Sequence, residues 1–185
     1  MMNTTHAVMG IALASPLAIL APEFAPMAAG AAVVGGTFPD LDLLGGQHRR
    51  TLHFPAYYAA AALAAGVAAL VAPGTATVAA AFFLLSATLH CVTDALGGGL
   101  ELRPWEATDE RGVYVHPAGR WVRPRRWIRY DGAPEDLLLA AVLSVPGLVL
   151  FDGWVRTATV VALGVSVVYV AVRKRLPEIE MRYLR

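Results

Sequence analysis

Long apolar runs dominate the chain, and Pro or Gly splits each of them. Residues 7–39 carry one charge, Glu23. Residues 54–93 carry none, and residues 137–171 carry only Asp152 and Arg156. Such runs are too long and too apolar for ordinary core helices and fit segments that enter a bilayer. The breaks fall at residues 21–26 (APEFAP), 72–74 (APG) and 151–154 (FDGW). They predict six helical segments, at about 6–20, 27–38, 55–71, 75–92, 136–150 and 155–172, paired by tight turns into three hairpins. Several fall short of the roughly 20 residues of a full span, so the first hairpin is open to a re-entrant reading.

One polar stretch, residues 94–135, interrupts this pattern. Alternation in residues 111–121 (RGVYVHPAGRW) predicts a β-hairpin turning at residues 117–119. Trp105, Trp121, Trp127 and the arginines around them suit a headgroup layer. The expected fold is therefore an all-α membrane protein. It is one domain over residues 1–185, with a small polar insertion at about 100–135 forming a cytoplasmic interfacial loop within residues 94–136. Hydrophobic residues at 57% and charged residues at 16% agree, against roughly 45–50% and 25% in soluble proteins.

The charge distribution orients this fold. With the three tight turns on one side, that side holds only Arg156; the other holds the remaining 14 of 15 Lys and Arg. Basic residues stay cytoplasmic, which places both termini and the two long loops in the cytoplasm of a multi-pass inner or plasma membrane protein. Residues 1–5 lack a positive leader region, so no cleavable signal is expected. Cys91 stands alone and forms no internal disulfide. Acidic residues offset the arginines of the polar stretch, which argues against a nucleic-acid partner.

The candidate chemistry lies on the same side. His90 and Asp94, spaced i, i+4 at the end of a charge-free helix, share one face and form a ligand pair. Asp40 and Asp42, in Pro39-Asp40-Leu41-Asp42, follow a helix end; an extended turn there would aim Asp40 inward as a ligand and leave Asp42 as a supporting carboxylate or base. His53 begins the third helix and suits ligation, whereas His48 suits either ligation or substrate contact. His6 opens the first helix and turns toward the same face. Arg49 and Arg50 read equally as membrane anchors and as an anion clamp. Cys91 reads as packing, and His116 as a surface residue. Mixed imidazole and carboxylate donors favour Zn²⁺, with Mn²⁺ or Fe²⁺ as substitutes.

Thr5-His6 with Gly10, Pro39-Asp40-Leu41-Asp42, His48-Arg49 through His53, and His90-x-x-x-Asp94 with Gly97 and Pro104-Trp105 occur in one order over the first 105 residues. In that order they resemble the YdjM-type family of predicted inner-membrane metal-dependent hydrolases, a family similar to zinc-dependent phospholipase C and the P1-type nucleases. The resemblance implies an all-α fold, ligands at His6, Asp40, His53, His90 and Asp94, and a phosphoester substrate. The chain departs from the family pattern at Leu43, Leu52 and Phe54, where His, Thr and Ser are usual.

These readings converge on a membrane hydrolase with one to three divalent ions at the cytoplasmic interface. Asp42 and Arg49 are the expected catalytic residues. His6, Asp40, His48, His53, His90 and Asp94 are the expected metal ligands. Membrane lipids surround the protein, and the substrate is a small-molecule or lipid phosphoester, the lipid favoured by the depth of the site. A structural metal site without catalysis is the first rival. A metal or proton transporter is weaker, because the helix centres lack charge. A soluble all-α hydrolase conflicts with the charge asymmetry.

Overall fold

A computed structural model of the chain describes residues 1–183. Among these residues, six helices of 12 to 20 residues carry the fold. They are α1 (Asn3–Ala14), α3 (Ala25–Thr37), α4 (Pro55–Val71), α5 (Thr75–Asp94), α6 (Pro134–Val149) and α7 (Gly153–Val172). A single turn, α2 (Leu17–Leu20), extends α1, and α8 (Leu176–Tyr183) follows α7. Proline occupies the first turn of α3, α4 and α6, where its missing N–H costs nothing. The first segment breaks at Ser15-Pro16 instead of running on to residue 20. Pro16 cannot donate the helical hydrogen bond and its ring crowds the preceding turn; the Ser15 hydroxyl donates to the Ala12 carbonyl at 2.7 Å.

Helix α1 lies centrally, packed on α3, α5, α6 and α7. Small residues bring these backbones together. A Cβ at Gly10 would meet the Ala32 carbonyl oxygen at 2.6 Å, and one at Gly35 would collide with the Phe83 backbone. Ile11, Ala14, Ala25, Val78, Phe151 and Val155 pack into one cluster. That cluster draws on residues beside all three helix-to-helix turns, so the turns gather at one end of the bundle.

Buried polar groups and exposed aliphatics invert the usual soluble pattern. Thr5, His6, His90, Asp94, Asp136 and Thr159 are buried, while Leu63, Leu70, Leu138, Val149, Val161 and Val168 face outward. Three segments, Asn3–Leu20, Thr75–Asp94 and Gly153–Ile179, are long and apolar enough to cross a membrane.

The expected hairpin is present as β1 (Val113–Val115) and β2 (Arg120–Val122), antiparallel, with Val113 opposite Val122. Gly119 closes its turn at φ +59°, a left-handed conformation that suits glycine. The polar segment braces the loops beneath it. The Tyr114 N–H donates to the Arg49 carbonyl at 3.0 Å, and the N–H groups of Arg125, Arg126 and Ile128 donate to the carbonyls of Ala95, Gly97 and Leu96. His116 is half-buried on the ring of Phe54, 4.5 Å between centroids, rather than on the open surface. The aromatic neighbours Tyr114 and Phe54 draw it in.

Candidate metal centre

The end of the bundle opposite the three turns brings together side chains from four elements. α5 supplies His90 and Asp94 on one face, one helical turn apart. A 3₁₀ turn, Phe38–Leu44, follows α3 and supplies Asp40 and Asp42. His53 sits two residues before α4, and His6 lies in the first turn and a half of α1. The loop between the 3₁₀ turn and α4 adds His48 and Arg49. The expected extended turn after Pro39 is thus helical. Its tight winding directs both carboxylates inward, not Asp40 alone.

Asp40, His53, His90 and Asp94 present one ligand atom each, all within 4.8 Å of one another. The His53 and His90 Nε2 atoms are 3.2 Å apart. His90 Nε2 lies 3.3 Å from Asp40 Oδ1 and 3.6 Å from Asp94 Oδ2. His53 Nε2 lies 3.8 Å and 3.6 Å from the same two oxygens. In a tetrahedral zinc site with bonds of about 2.0–2.1 Å, adjacent ligand atoms stand about 3.3–3.4 Å apart. Five of the six edges of this set, at 3.2–3.8 Å, bracket that spacing.

Hydrogen bonds on the far side of each ring fix what faces inward. His90 Nδ1 lies 2.6 Å from the Gly36 carbonyl, which only accepts, so Nδ1 carries the proton. His53 Nδ1 lies 2.9 Å from Asp42 Oδ2 and is a donor for the same reason. Two neutral imidazoles so arranged aim their lone pairs at each other, which needs a cation or a proton between them. Carboxylate and carbonyl partners behind histidine ligands orient metal sites in this way. Burial disfavours the charged His53 ring, yet the Asp42 hydrogen bond and the Asp94 carboxylate outweigh it and raise its pKa above the ordinary 6.5. Burial likewise opposes charge on Asp42, but hydrogen bonds from His48 and His53 hold that carboxyl well below the usual carboxylate range.

The remaining expected residues form a surrounding layer. His48 Nδ1 is 2.8 Å from Asp42 Oδ1, so Asp42 bridges His48 and His53 and, with them, makes a second group of potential ligands. His6 Nε2 meets Asp94 Oδ1 at 3.0 Å, and its ring stacks on His90 at 3.8 Å between centroids. The Met1 amino group donates to the same oxygen at 2.9 Å. Arg49 is buried, with Nε 3.2 Å from Asp94 Oδ2 and Nη1 donating to the Gly98 carbonyl at 2.6 Å. Its backbone sits at φ 60°, a strained setting for arginine that the Tyr114 hydrogen bond secures. Arg50 instead lies over the Tyr114 ring at 4.5 Å and does not enter the cluster.

Sequence reasoning missed two supports. One is the Gly36 carbonyl, whose only signal was the small pair Gly35-Gly36 that lets α3 approach α5. The other is Asp136, fully buried, which accepts from the Met2 N–H at 2.8 Å, the Thr5 hydroxyl at 2.7 Å and the Gly132 N–H at 3.0 Å. It ties α6 to the first turn of α1 beside His6, and its signal was an acid opening an otherwise apolar helix. Comparison with protein-family models, curated proteins and solved structures gave no match.

Proposed function

We propose that the chain is a membrane-embedded, metal-dependent hydrolase acting on a phosphoester at the cytoplasmic face. The facing Nε2 atoms of His53 and His90, each fixed by a partner on Nδ1 and flanked by Asp40 and Asp94, support this reading most strongly. These four residues would hold the ion, and the donor set suits Zn²⁺, with Mn²⁺ or Fe²⁺ as substitutes. When bound, such an ion supplies Lewis acidity and lowers the pKa of water toward neutrality.

The chain's own residues do the rest. Asp42 holds His53 in its tautomer and keeps His48 oriented. Arg49 anchors Asp94 and presents its remaining donors to a phosphoryl oxygen, where a guanidinium is an effective clamp. His6 packs behind His90 and engages Asp94. A purely structural centre would be closed on every side, whereas Asp40, His48 and Arg49 border a cleft of about 530 Å³. The resemblance to YdjM-type hydrolases rests on the same residues and points the same way. The sequence keeps its basic residues, Arg156 apart, away from the three tight turns, which favours a cytoplasmic orientation of this side.

The test uses the full chain in detergent, loaded with zinc, and bis(p-nitrophenyl) phosphate as substrate. Wild type releases nitrophenolate, Asp40→Asn and His53→Ala do not, and Arg49→Gln is slowed. Equal release from all four, or none from zinc-loaded wild type across a panel of phosphomonoesters and phosphodiesters, overturns the proposal.

A further inference from the structure

The cleft beside the metal cluster has walls of two kinds. Asp40, His48 and Arg49 line one side, and Leu43, Val165 of α7 and Leu176 of α8 supply apolar surface. The 3₁₀ turn that delivers the carboxylates also faces two ways. The Asp40 and Asp42 side chains are 10% and 0% exposed, whereas Leu41, Leu43 and Leu44 are 50%, 65% and 86% exposed. Leu43 also lines the cleft, and exposed leucines on this turn are costly in water and neutral against hydrocarbon.

Val165 lines the same cleft and is itself exposed on the bundle's outer surface. It lies within Gly153–Ile179, long and apolar enough to span a membrane, and Val161 and Val168, one turn to either side, are exposed as well. An apolar track along α7 therefore reaches the cleft that Asp40, His48 and Arg49 also border. A small water-soluble phosphoester would make no use of that track.

We infer that the cleft takes an amphiphilic phosphoester laterally from the bilayer. Its phosphate lies against His48 and Arg49, and its hydrocarbon along Leu43, Val165 and Leu176. The assignment rests on the hydrolase reading for the fate of the substrate, but lipid binding itself does not require turnover.

The experiment places the full chain in phosphatidylcholine nanodiscs containing a phosphatidic acid whose acyl chain bears a diazirine. After photolysis, labelled peptides are mapped by mass spectrometry. Labelling should concentrate on peptides containing Leu43, Val165 and Leu176, and should be displaced by unlabelled phosphatidic acid but not by glycerol 3-phosphate. Leu43→Ala, which trims the apolar contact without adding a charge, should lower cleft labelling about tenfold, with zinc content unchanged.

Labelling spread evenly over the outer helix faces, or equal displacement by glycerol 3-phosphate, overturns the inference. An unlabelled cleft in a protein that still cleaves bis(p-nitrophenyl) phosphate removes the lipid site and leaves the hydrolase. Cleft labelling in a protein that neither binds zinc nor cleaves any phosphoester keeps the lipid site and removes the hydrolase.

Discussion

Asp42 is not among the four groups that cluster around His53 and His90 Nε2, yet its replacement should weaken metal binding measurably. Its carboxylate is buried and accepts from His48 Nδ1 at 2.8 Å and His53 Nδ1 at 2.9 Å. In Asp42→Asn the shape is kept, but one of the two oxygens becomes an amide that donates. One imidazole then loses its acceptor, and the negative charge that favours the Nδ1 proton on His53 disappears. A hydrogen bond to a charged group contributes about 1.5–3 kcal/mol, so zinc affinity should fall about 10- to 100-fold. The assay is a competition titration against a chromophoric chelator, with Asp152→Asn, at the opposite end in the α6–α7 turn, as the control. Stoichiometry should be retained in Asp42→Asn while affinity drops. Affinity unchanged from wild type would show that the Asp42–His53 contact neither fixes the tautomer nor orients a ligand.

Asp136→Ala strands the Met2 and Gly132 N–H groups and the Thr5 hydroxyl in a buried setting; at about 1–3 kcal/mol each, the variant should lose several degrees of thermal stability in detergent. Gly35→Ala places a methyl group against the Phe83 backbone and should destabilise by about 1–3 kcal/mol in the same measurement. Zinc binding should be proton-coupled. Because the His53 pKa is raised, its proton stabilises the metal-free fold fully below 6.5, and that contribution fades as the pH climbs through the raised value. Asp42, whose pKa is lowered, contributes fully above 3.8 and loses its effect only as the pH falls through its depressed value. Metal-free stability should therefore peak between these limits, and apparent zinc affinity, followed by isothermal titration, should rise with pH above 6.5 because zinc displaces the proton. A pH-independent affinity contradicts this.

Much of the architecture was legible because Pro and Gly interrupt helices by local sterics. Five of the six helices lie within two residues of their expected bounds. The first stopped early because Pro16 acts on its own turn, whereas the reading placed the break at the denser cluster after residue 20. His90 and Asp94 were legible from helical periodicity alone. The inward aim of both Asp40 and Asp42 was not, since an i, i+2 pair faces one way in a strand and two ways in an α-helix, and the 3₁₀ turn lies between. Arg49 read equally as anchor and clamp because its choice depends on the Tyr114 N–H, more than 60 residues along the chain. The Gly36 carbonyl and Asp136 act through packing of distant elements, which no local pattern encodes.

The most direct test of the central claim is zinc content per chain, measured after detergent purification without chelator and without a histidine tag. Wild type should carry near-stoichiometric metal, and His90→Ala and Asp94→Ala should lose it while remaining folded. Wild type free of metal, or variants that retain as much as wild type, would contradict a metal centre at this end of the bundle.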